Sequence, residues 1–266
     1  MKTKGRTVRA PIKMPGGKFY LAKRIVALMP AHTLYLEPYL GSGAVLLNRP
    51  PALREVAGDI DAGLIGLWRV IRDQPDSLLR LLAGIRYTQA YFNWAAIEDP
   101  DHNAVYRAAK YLIRSRFSRG GLRKEFAWSE RLRGGQPGDA NGWDTIRAEL
   151  PAIAERVREV EFACDPALDL IARLDCKGSL TYCDPPYVQS TRTATNIYRY
   201  EMSDNDHRIL LETLRGCVGK VMISGYRSSL YDDALAGWTR HDFSIANHAG
   251  QGKIKNRRCE SVWVNF

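Results

Sequence analysis

The sequence predicts an α/β protein with a Rossmann-like sheet that is interrupted by a mostly helical insertion. A strand pattern at residues 33–38 leads through a glycine-containing turn into an apolar helix pattern, which is how such a sheet begins. Strand and helix patterns alternate up to residue 73 and again from residue 160. Residues 74–159 lack this alternation, so we expect one domain of residues 1–73 and 160–266 with an inserted domain of residues 74–159.

The charge of the chain indicates a polyanionic partner. Its 266 residues carry a net charge of +10, whereas the hydrophobic fraction of 45% is ordinary for a globular protein. Strongly basic proteins attract nucleic acids through long-range electrostatics. Solubility alone would predict an even scatter of charge, but the basic residues concentrate in the insertion.

The five cysteines predict neither a zinc site nor a disulfide framework. None forms a C-x-x-C pair, and no histidine cluster accompanies them. We therefore expect buried free thiols in a reducing compartment, the cytoplasm. No apolar run approaches ~18 residues, so no membrane span is expected, and the sequence indicates no obligate protein partner.

The first segment of interest precedes a helix pattern that begins near Leu21. Gly16 and Gly17 allow a ligand to approach the backbone closely, and a helix N-terminus favours an anion. Lys18 adds a positive charge, so a ligand with a carboxylate would suit this position. A plain loop is the alternative interpretation.

The turn after the first strand favours a nucleoside ligand. The strand ends near Glu37, and Gly41 and Gly43 precede a helix pattern that starts at Ala44. A dinucleotide-binding fingerprint would need a third glycine near Leu46, which is absent, and the lysine of a phosphate-binding loop is absent too. The turn therefore favours a nucleoside without a pyrophosphate, and a nicotinamide-dependent enzyme is disfavoured.

The second strand pattern, residues 55–59, ends in an acid. Asp59 follows Gly43 by 16 residues, close to the ~20-residue spacing at which an acid takes ribose hydroxyls. Asp61 is a competitor, but it directly precedes a helix pattern at residues 63–72 and suits an N-cap. We assign the ribose role to Asp59 and the capping role to Asp61.

The insertion combines helices with a dense basic segment. Helix patterns at residues 77–86 and 104–117 are followed by a glycine-rich loop at 134–138 and a helix pattern at 143–157. Residues 107–133 contain nine Lys or Arg against two acids, with aromatic residues interleaved. Such a surface binds phosphates and reads base edges, although a solvated basic face is the alternative. The candidate DNA-binding residues are Arg116, Arg119, Arg123, Lys124, Arg131 and Arg133.

After the insertion the alternation resumes. The long polar loop at 188–200 is expected to be mobile and to close over substrate, and Ser203 is expected to cap the following helix with Asp206 in its first turn. The predicted strands and helices are the strands at residues 160–162, 180–183 and 220–224, the helices at 166–174, 203–214 and 231–235, and a closing antiparallel pair at 243–245 and 262–264.

Four residues after a short apolar strand carry the strongest chemical signal: Asp184, Pro185, Pro186 and Tyr187. The two prolines end the strand and stiffen the turn, because proline cannot donate to a sheet ladder. If the Asp184 carboxylate and the Pro185 carbonyl each accept one N–H of a planar amino group, the nitrogen lone pair leaves conjugation and becomes nucleophilic. Tyr187 offers a flat face to the ring that carries the amine. A rigid turn with a solvated aspartate is the alternative interpretation.

These motifs occur in one order: Gly-Gly-Lys, Glu-Pro-x-x-Gly-x-Gly, Gly-Asp-Ile-Asp and Asp-Pro-Pro-Tyr, with the basic segment between the third and the fourth. From residue 12 to residue 266 the chain resembles the Dam-type family of bacterial and phage DNA adenine methyltransferases. The resemblance implies a seven-stranded, mostly parallel methyltransferase sheet with a reversed last strand. It also implies that residues 1–73 and 160–266 form a catalytic domain and that residues 74–159 recognise the target.

The resemblance implies an S-adenosylmethionine site and no metal, with S-adenosylhomocysteine as the product. Two departures stand out. Met14 occupies a position where the family often has an aromatic residue, and the recognition stretch lacks the Phe-Asn-Val-Pro-Phe-Gly-like sequence of GATC-specific members, so GATC specificity is not implied. The cofactor residues implied by position are Met14, Lys18, Glu37, Gly41, Gly43, Asp59 and Asp184.

The expected reaction on double-stranded DNA begins when the target adenine is flipped out of the duplex. Tyr187 stacks on the base, Asp184 and the Pro185 carbonyl hold the amino hydrogens, and the nitrogen attacks the sulfonium methyl in line. Methylation of the cytosine amino group, methylation of RNA and a non-catalytic DNA-binding regulator are the alternatives. A regulator would have no need of an intact Asp-Pro-Pro-Tyr motif.

Overall fold

The computed structural model describes residues 8–99, 101, 103–128, 132–133, 136–192, 197–246 and 257–266. Seven strands form one mixed sheet in the order β5-β2-β1-β6-β7-β9-β8, and a separate two-stranded hairpin joins β3 to β4. The strands are β1 (Leu34–Glu37), β2 (Arg54–Gly58), β3 (Leu132–Arg133), β4 (Gln136–Pro137), β5 (Glu161–Ala163), β6 (Ser179–Cys183), β7 (Lys220–Gly225), β8 (Thr239–Ala246) and β9 (Arg257–Val264).

The directions of the strands confirm the predicted Rossmann-like, mostly parallel sheet with a reversed last strand. The pairs β1–β2, β1–β6 and β6–β7 are parallel, whereas β9 runs antiparallel to both β7 and β8. Every residue of β1 and of β6 is buried. Strands that are covered on both faces need continuous apolar runs, which is why these two strands were recognisable in the sequence.

Ten α-helices are present in the part of the chain that the structure describes. Their bounds follow the predicted pattern closely for most of the chain. They are α1 (Ala22–Val26), α2 (Ala44–Asn48), α3 (Ala62–Asp73), α4 (Pro75–Ala83), α5 (Gln89–Trp94), α6 (Ala104–Arg116), α7 (Gly138–Arg156), α8 (Ala167–Leu174), α9 (Asp204–Arg215) and α10 (Ser229–Ala234).

Two predicted helix caps are confirmed. The Asp61 carboxylate accepts hydrogen bonds from the first backbone amides of α3, those of Gly63 and Leu64, at 3.0 and 3.2 Å. The Ser203 hydroxyl accepts from the Asp206 amide, and the Asp206 carboxylate accepts from the Ser203 amide. Such a reciprocal box satisfies two amides that have no partner within the helix.

The insertion departs from the prediction in three places. Helix α4 ends at Ala83, three residues earlier than expected, and α5 was not predicted at all; the Thr88 side chain caps it by accepting from the Tyr91 amide. The segment expected to be a loop at 134–138 contains β4, and α7 already begins at Gly138. Propensity patterns place helix ends poorly, because capping and tertiary contacts decide them.

Within the described residues the chain forms two compact units. One unit comprises Met1–Val26, Leu40–Pro50 and Asp59–Cys164, and the other comprises Ala27–Tyr39, Pro51–Gly58 and Asp165–Phe266. In the first unit, Trp68 of α3 stacks on Phe162 with ring centroids 5.6 Å apart. In the second, Trp263 of β9 packs against Tyr231 of α10. The division into a catalytic and an inserted domain stays a prediction.

The five cysteines are free, as predicted, but the expectation that they are buried is right only for Cys183, because Cys217 is half-buried and the other three are exposed. Cys183 is buried within β6, whereas Cys164 and Cys176 lie outside regular elements and are exposed, as is Cys259 of β9. Among the described residues, no helix is long and apolar enough to cross a bilayer, and no group of three His, Cys, Asp or Glu side chains could hold a metal ion.

We predict that Gly43→Ala destabilises the fold. Gly43 has φ +66°, and a Cβ there would lie 2.6 Å from Cζ2 of the buried Trp68. Left-handed backbone costs about 1–2 kcal/mol in a residue with a Cβ, and overpacking adds about 1–3 kcal/mol. Urea unfolding should therefore show a loss of about 2–5 kcal/mol.

Gly66→Ala is the matched control for this prediction. Gly66 lies in α3 with nothing within 4 Å of the added Cβ, and alanine is favoured over glycine in a helix by about 0.5–1 kcal/mol. This variant should be as stable as the wild type or more so. Equal effects of the two substitutions would contradict the packing argument.

Candidate active site

The candidate catalytic residues follow β6 at the carboxyl edge of the sheet. Leu36 of β1 lies level with Thr181 of β6, so Glu37 at the end of β1 and Asp184 after β6 belong to neighbouring parallel strands. Ligands of open α/β sheets bind at this edge. Pro185, buried, directly follows the half-buried Asp184.

Glu37 is held in place by a neighbour on its own strand. Its carboxylate is buried and accepts a 2.7 Å hydrogen bond from the hydroxyl of Tyr35, two residues before it. A buried carboxylate needs such donors, because its transfer from water is otherwise very unfavourable. Below the edge, the hydroxyls of Tyr182 and Ser224 join β6 to β7 at 2.8 Å.

Tyr187 is more buried than we would expect of a ring that is free to stack on a substrate base. Its hydroxyl donates a short hydrogen bond to the carboxylate of Glu260 on β9, and its ring makes a T-shaped contact with the Tyr226 ring at a centroid distance of 4.7 Å and an interplanar angle of 75°. Only 5% of the residue is exposed. Glu260 was not among the residues predicted from the sequence, where the available signal was a single acid at the start of an apolar strand run.

Three titratable side chains near Asp184, those of Tyr182, Cys183 and Tyr187, keep their protons at physiological pH. Burial raises the pKa of Tyr182, Cys183 and Tyr187 well above their ordinary values, and the charge of Asp184 raises each of them further. Their hydroxyl and thiol groups therefore keep their protons. The chain surrounds this carboxylate with neutral side chains on the motif and on the strand that precedes it.

The structure brings three of the predicted cofactor residues together in the first unit. The Gly41 amide donates to Oδ2 of Asp59 at 3.0 Å, and the Asp61 amide donates to Oδ1 at 3.0 Å. The sulfur of Met14 lies 3.9 Å from the point where a Cβ on Gly41 would be. Burial raises the pKa of Asp59, although the backbone hydrogen bonds of Asp61 and Gly41 oppose this shift.

Lys18 lies at the predicted position before α1. The residue is buried, and its ammonium group donates to the carbonyl of Gly16 at 2.9 Å. Gly16 has φ +75°, a backbone conformation that favours glycine.

The Asp61 carboxylate also connects to the basic segment. Besides capping α3, it accepts from the Tyr111 hydroxyl at 3.0 Å and from the Arg123 guanidinium at 3.4 Å. The guanidinium lies over the Tyr111 ring, 4.5 Å from its centroid. Arg123 has φ +60°, the one positive φ among the described non-glycine residues, and such a conformation persists only when surrounding contacts enforce it.

A second set of contacts joins the basic segment to the residues before Met14. The Ser115 hydroxyl accepts from the Lys13 amide at 3.0 Å and donates to the Lys13 carbonyl at 2.7 Å. Gly121 packs so closely that a Cβ on it would lie 2.2 Å from the Lys13 carbonyl oxygen. The backbone that carries Met14 is therefore fixed by the segment predicted to read DNA.

The predicted DNA-binding residues lie in different environments. Arg119 and Lys124 are exposed, whereas Arg116 is half-buried, donates to the Gly142 carbonyl at 3.1 Å and has a pKa that burial lowers to about 10. Arg131 lies outside the described residues. For Arg133 the structure describes the backbone, which pairs with that of Gln136.

The loop after the Asp-Pro-Pro-Tyr motif is held by contacts between its own residues. Arg192 forms a bidentate ion pair with Glu201, with Nη2–Oε2 at 2.6 Å, and the Tyr198 amide donates to the same carboxylate at 3.1 Å. The Arg192 side chain is only 4% exposed. Residues 193–196 of this loop lie outside the described residues, so its predicted closure over substrate stays a prediction.

Comparisons with known proteins give a consistent family. Residues 15–251 match the sequence model described as D12 class N6 adenine-specific DNA methyltransferase. A DNA adenine methylase of Escherichia coli (strain K12) is 27% identical to this chain over 266 residues, with 92% of each chain covered. One from Salmonella typhi is 28% identical over 198 residues, which cover 70% of this chain and 67% of that protein.

Among solved structures, a SAM-dependent methyltransferase from Agrobacterium tumefaciens is 10% identical with a TM-score of 0.36, covering 92% of this chain and 59% of its own. A putative methyltransferase complexed with SAH is 12% identical with a TM-score of 0.38, covering 98% of this chain and 54% of its own.

We predict that Asp61→Ala destabilises the first unit strongly. The substitution removes the α3 cap, which contributes about 1 kcal/mol, and leaves the Tyr111 hydroxyl without this acceptor, which costs about 1–3 kcal/mol. The free energy of unfolding in urea should fall by about 2–4 kcal/mol.

Asp73→Ala is the matched control for Asp61→Ala. Asp73 pairs with Arg72 near the end of the same helix, but its side chain is 49% exposed. Exposed pairs of this kind contribute about 0–1 kcal/mol. A loss at Asp61 no larger than the loss at Asp73 would contradict the role of Asp61 as a structural junction.

Proposed function

The chain belongs to the D12 class N6 adenine-specific DNA methyltransferase family, and we propose that it transfers a methyl group from S-adenosylmethionine to the exocyclic amino group of adenine in duplex DNA. The observation that carries the proposal is the Asp-Pro-Pro-Tyr turn at the end of β6. The turn follows a strand of the sheet at its carboxyl edge, and burial keeps the hydroxyls of the neighbouring Tyr182 and Tyr187 protonated by raising their pKa.

The first unit offers a donor set that fits S-adenosylmethionine. Asp59 supplies a carboxylate for ribose hydroxyls, and its position is supported by the Gly41 and Asp61 amides. Lys18 supplies a positive charge for a carboxylate, and Gly41 leaves the backbone open to a ligand beside Met14. When bound, S-adenosylmethionine supplies a sulfonium methyl that the amino nitrogen attacks in line, with S-adenosylhomocysteine as the product.

In this proposal, Asp184 and the Pro185 carbonyl are the groups of the chain that bind the target amino group. Each accepts one hydrogen of the target amino group, which orients the nitrogen and raises its nucleophilicity; positioning of this kind is a large source of catalysis. The target nucleotide first leaves the duplex, at a cost of a few kcal/mol. Because Tyr187 is 5% exposed, groups that cover its ring have to move before the base stacks on it.

The basic segment divides into two kinds of residue in this proposal. Arg119 and Lys124 are exposed and contact DNA phosphates or base edges, a role we also propose for Arg131 and Arg133. Arg116 and Arg123 bind within the protein, where they hold the segment in shape and raise the local positive potential. This assignment supports recognition of a duplex through positioned charges.

The experiment combines the purified protein with S-adenosylmethionine and unmethylated genomic DNA, followed by mapping of modified bases on single molecules. We expect N6-methyladenine at one recurring short sequence. Asp184→Ala should lower the methylation rate at least about 100-fold, because one of the two acceptors for the amino group is lost. DNA binding, measured by fluorescence anisotropy, should persist in this variant.

Asp204→Ala serves as the control, because it removes the same charge from an exposed site in the first turn of α9 and should leave the rate unchanged. Methylcytosine in the product would keep the mechanism and overturn the base assignment. Methylation of RNA in preference to duplex DNA would overturn the substrate. DNA binding without any modification would favour a non-catalytic regulator.

We predict that cofactor affinity falls in acid because of Asp59. Burial raises the pKa of Asp59 above the ordinary 3.8, and a protonated carboxyl loses acceptor capacity for ribose hydroxyls. Affinity for S-adenosylhomocysteine, measured by calorimetry between pH 8 and pH 4, should therefore fall as pH drops through that raised pKa.

Protonation of Asp59 has the opposite effect on the free energy of unfolding. Because the pKa of Asp59 is higher in the folded than in the unfolded protein, the group contributes stability that is present below the unfolded pKa and is lost as pH rises through the folded pKa.

Asp59→Asn should flatten the pH dependence of cofactor binding. Asp73→Asn, at a carboxyl whose pKa the Arg72 hydrogen bond lowers, should leave it unchanged. A wild-type affinity that is constant across this range would contradict the role of Asp59.

A further inference from the structure

A buried carboxylate on β9 binds the tyrosine of the catalytic motif. Glu260 is 5% exposed, and its Oε1 accepts the short hydrogen bond from the Tyr187 hydroxyl. The two residues are 73 positions apart in sequence. Nothing in the proposed chemistry requires an acid at this position, so the contact calls for a separate explanation.

The reversed direction of β9 brings Glu260 to the catalytic edge. Ser261 of β9 is paired with Gly225, the last residue of β7. Glu260 therefore lies just beyond the carboxyl end of β7, at the edge where β6 delivers Asp184. A strand running parallel to β7 would begin at the opposite edge of the sheet, and its first residues would be far from the motif.

Two of the contacts of the Tyr187 side chain constrain the orientation of its ring. The hydroxyl is anchored to Glu260, and the Tyr226 ring packs against the Tyr187 ring in a T-shaped arrangement with centroids 4.7 Å apart. The ring has only two side-chain torsions, and an anchor at its far end together with a lateral contact constrains both. Since Pro185 and Pro186 restrict the backbone between Asp184 and Tyr187, the anchor also sets the ring relative to the catalytic carboxylate.

Packing alone does not explain an acid at position 260. Glu260 lies on the same face of β9 as Val262 and Val264, because side chains two positions apart on a strand point the same way, and both valines are buried. An apolar side chain would continue that face without the several kcal/mol that removing a carboxylate from water costs. The Tyr187 hydroxyl, which stays protonated because burial raises its pKa, is the donor that this carboxylate orients.

We propose that Glu260 is a positioning residue for methyl transfer: its carboxylate anchors the Tyr187 hydroxyl and holds the ring in the orientation that stacks on the flipped base. This inference rests on the proposed function, because it concerns the same site. Glu260 acts through Tyr187 and not on the substrate. Its loss should therefore lower the rate of the chemical step and leave cofactor affinity unchanged.

The test measures single-turnover methylation of a duplex that contains the mapped recognition sequence. Glu260→Ala removes the anchor and should lower the rate about 10- to 100-fold, the effect expected when a reacting group is misplaced by about 1 Å. Glu260→Gln retains a carbonyl acceptor for the hydroxyl and should stay within about 3-fold of the wild type, since a neutral hydrogen bond replaces a charge-assisted one.

A double-mutant cycle with Tyr187→Phe isolates the contact. Once the hydroxyl is absent, adding Glu260→Ala should change the rate by less than about 3-fold. A second readout places 2-aminopurine at the target position. Stacking on Tyr187 quenches its fluorescence in the wild type, and Glu260→Ala should raise that fluorescence because the ring no longer holds one orientation.

Ser261→Ala controls for a general loss of strand stability. Ser261 is buried, adjoins Glu260 on β9 and donates a 2.6 Å hydrogen bond to Asp242 of β8. Its substitution removes a hydrogen bond of the same strand from the opposite face. It should lower the free energy of unfolding, and it should leave both the rate and the 2-aminopurine signal unchanged.

The outcomes separate the inference from the function on which it rests. A wild-type protein that methylates DNA, with a Glu260→Ala variant at the wild-type rate, would overturn the inference alone. Effects of Glu260→Ala and Tyr187→Phe that multiply, or a Gln variant as slow as the Ala variant, would do the same. A wild-type protein without methyl transfer to duplex DNA would overturn the proposed function and the inference with it.

Discussion

The Asp61 carboxylate is the junction on which the first unit depends. It caps α3, accepts the Tyr111 hydroxyl and pairs with Arg123, while the amide of the same residue supports Asp59. A carboxylate with several donors is much more stable in a buried site than one with a single partner. The acid proposed to bind the ribose and the basic segment proposed to bind DNA are thus linked through contacts of one residue.

The carboxyl edge of the second unit illustrates a different constraint. The two prolines end β6 at Asp184, and the reversal of β9 returns Glu260 to the same edge. Parallel strands alone would supply the Asp184 carboxylate, which we propose to hold the target amine. The antiparallel strand adds the anchor for Tyr187, so the mixed direction of the sheet contributes directly to the geometry of the site.

The basic segment shows why charge density is not the same as a binding surface. Its composition indicates nucleic acid, yet individual arginines have distinct tasks. Arg123 lies over Tyr111 and pairs with Asp61, and Arg116 binds the Gly142 carbonyl, whereas Arg119 and Lys124 are exposed to solvent. Internal arginines shape the segment through directed hydrogen bonds, and the exposed residues remain available to phosphates.

The sequence by itself determined the α/β class, most strand positions, the Asp61 and Ser203 caps and the Asp-Pro-Pro-Tyr motif, because each depends on residues close together in the chain. It also determined the family, because the four motifs keep their order over nearly the whole chain. Helix α5, the Asp61–Arg123 pair and the Tyr187–Glu260 bond were decided only by tertiary structure. The reversed direction of β9 brings Glu260 to Tyr187 across 73 residues, and packing within the first unit brings Arg123 to Asp61 across 62 residues. Local patterns carry no information about which distant side chains will meet.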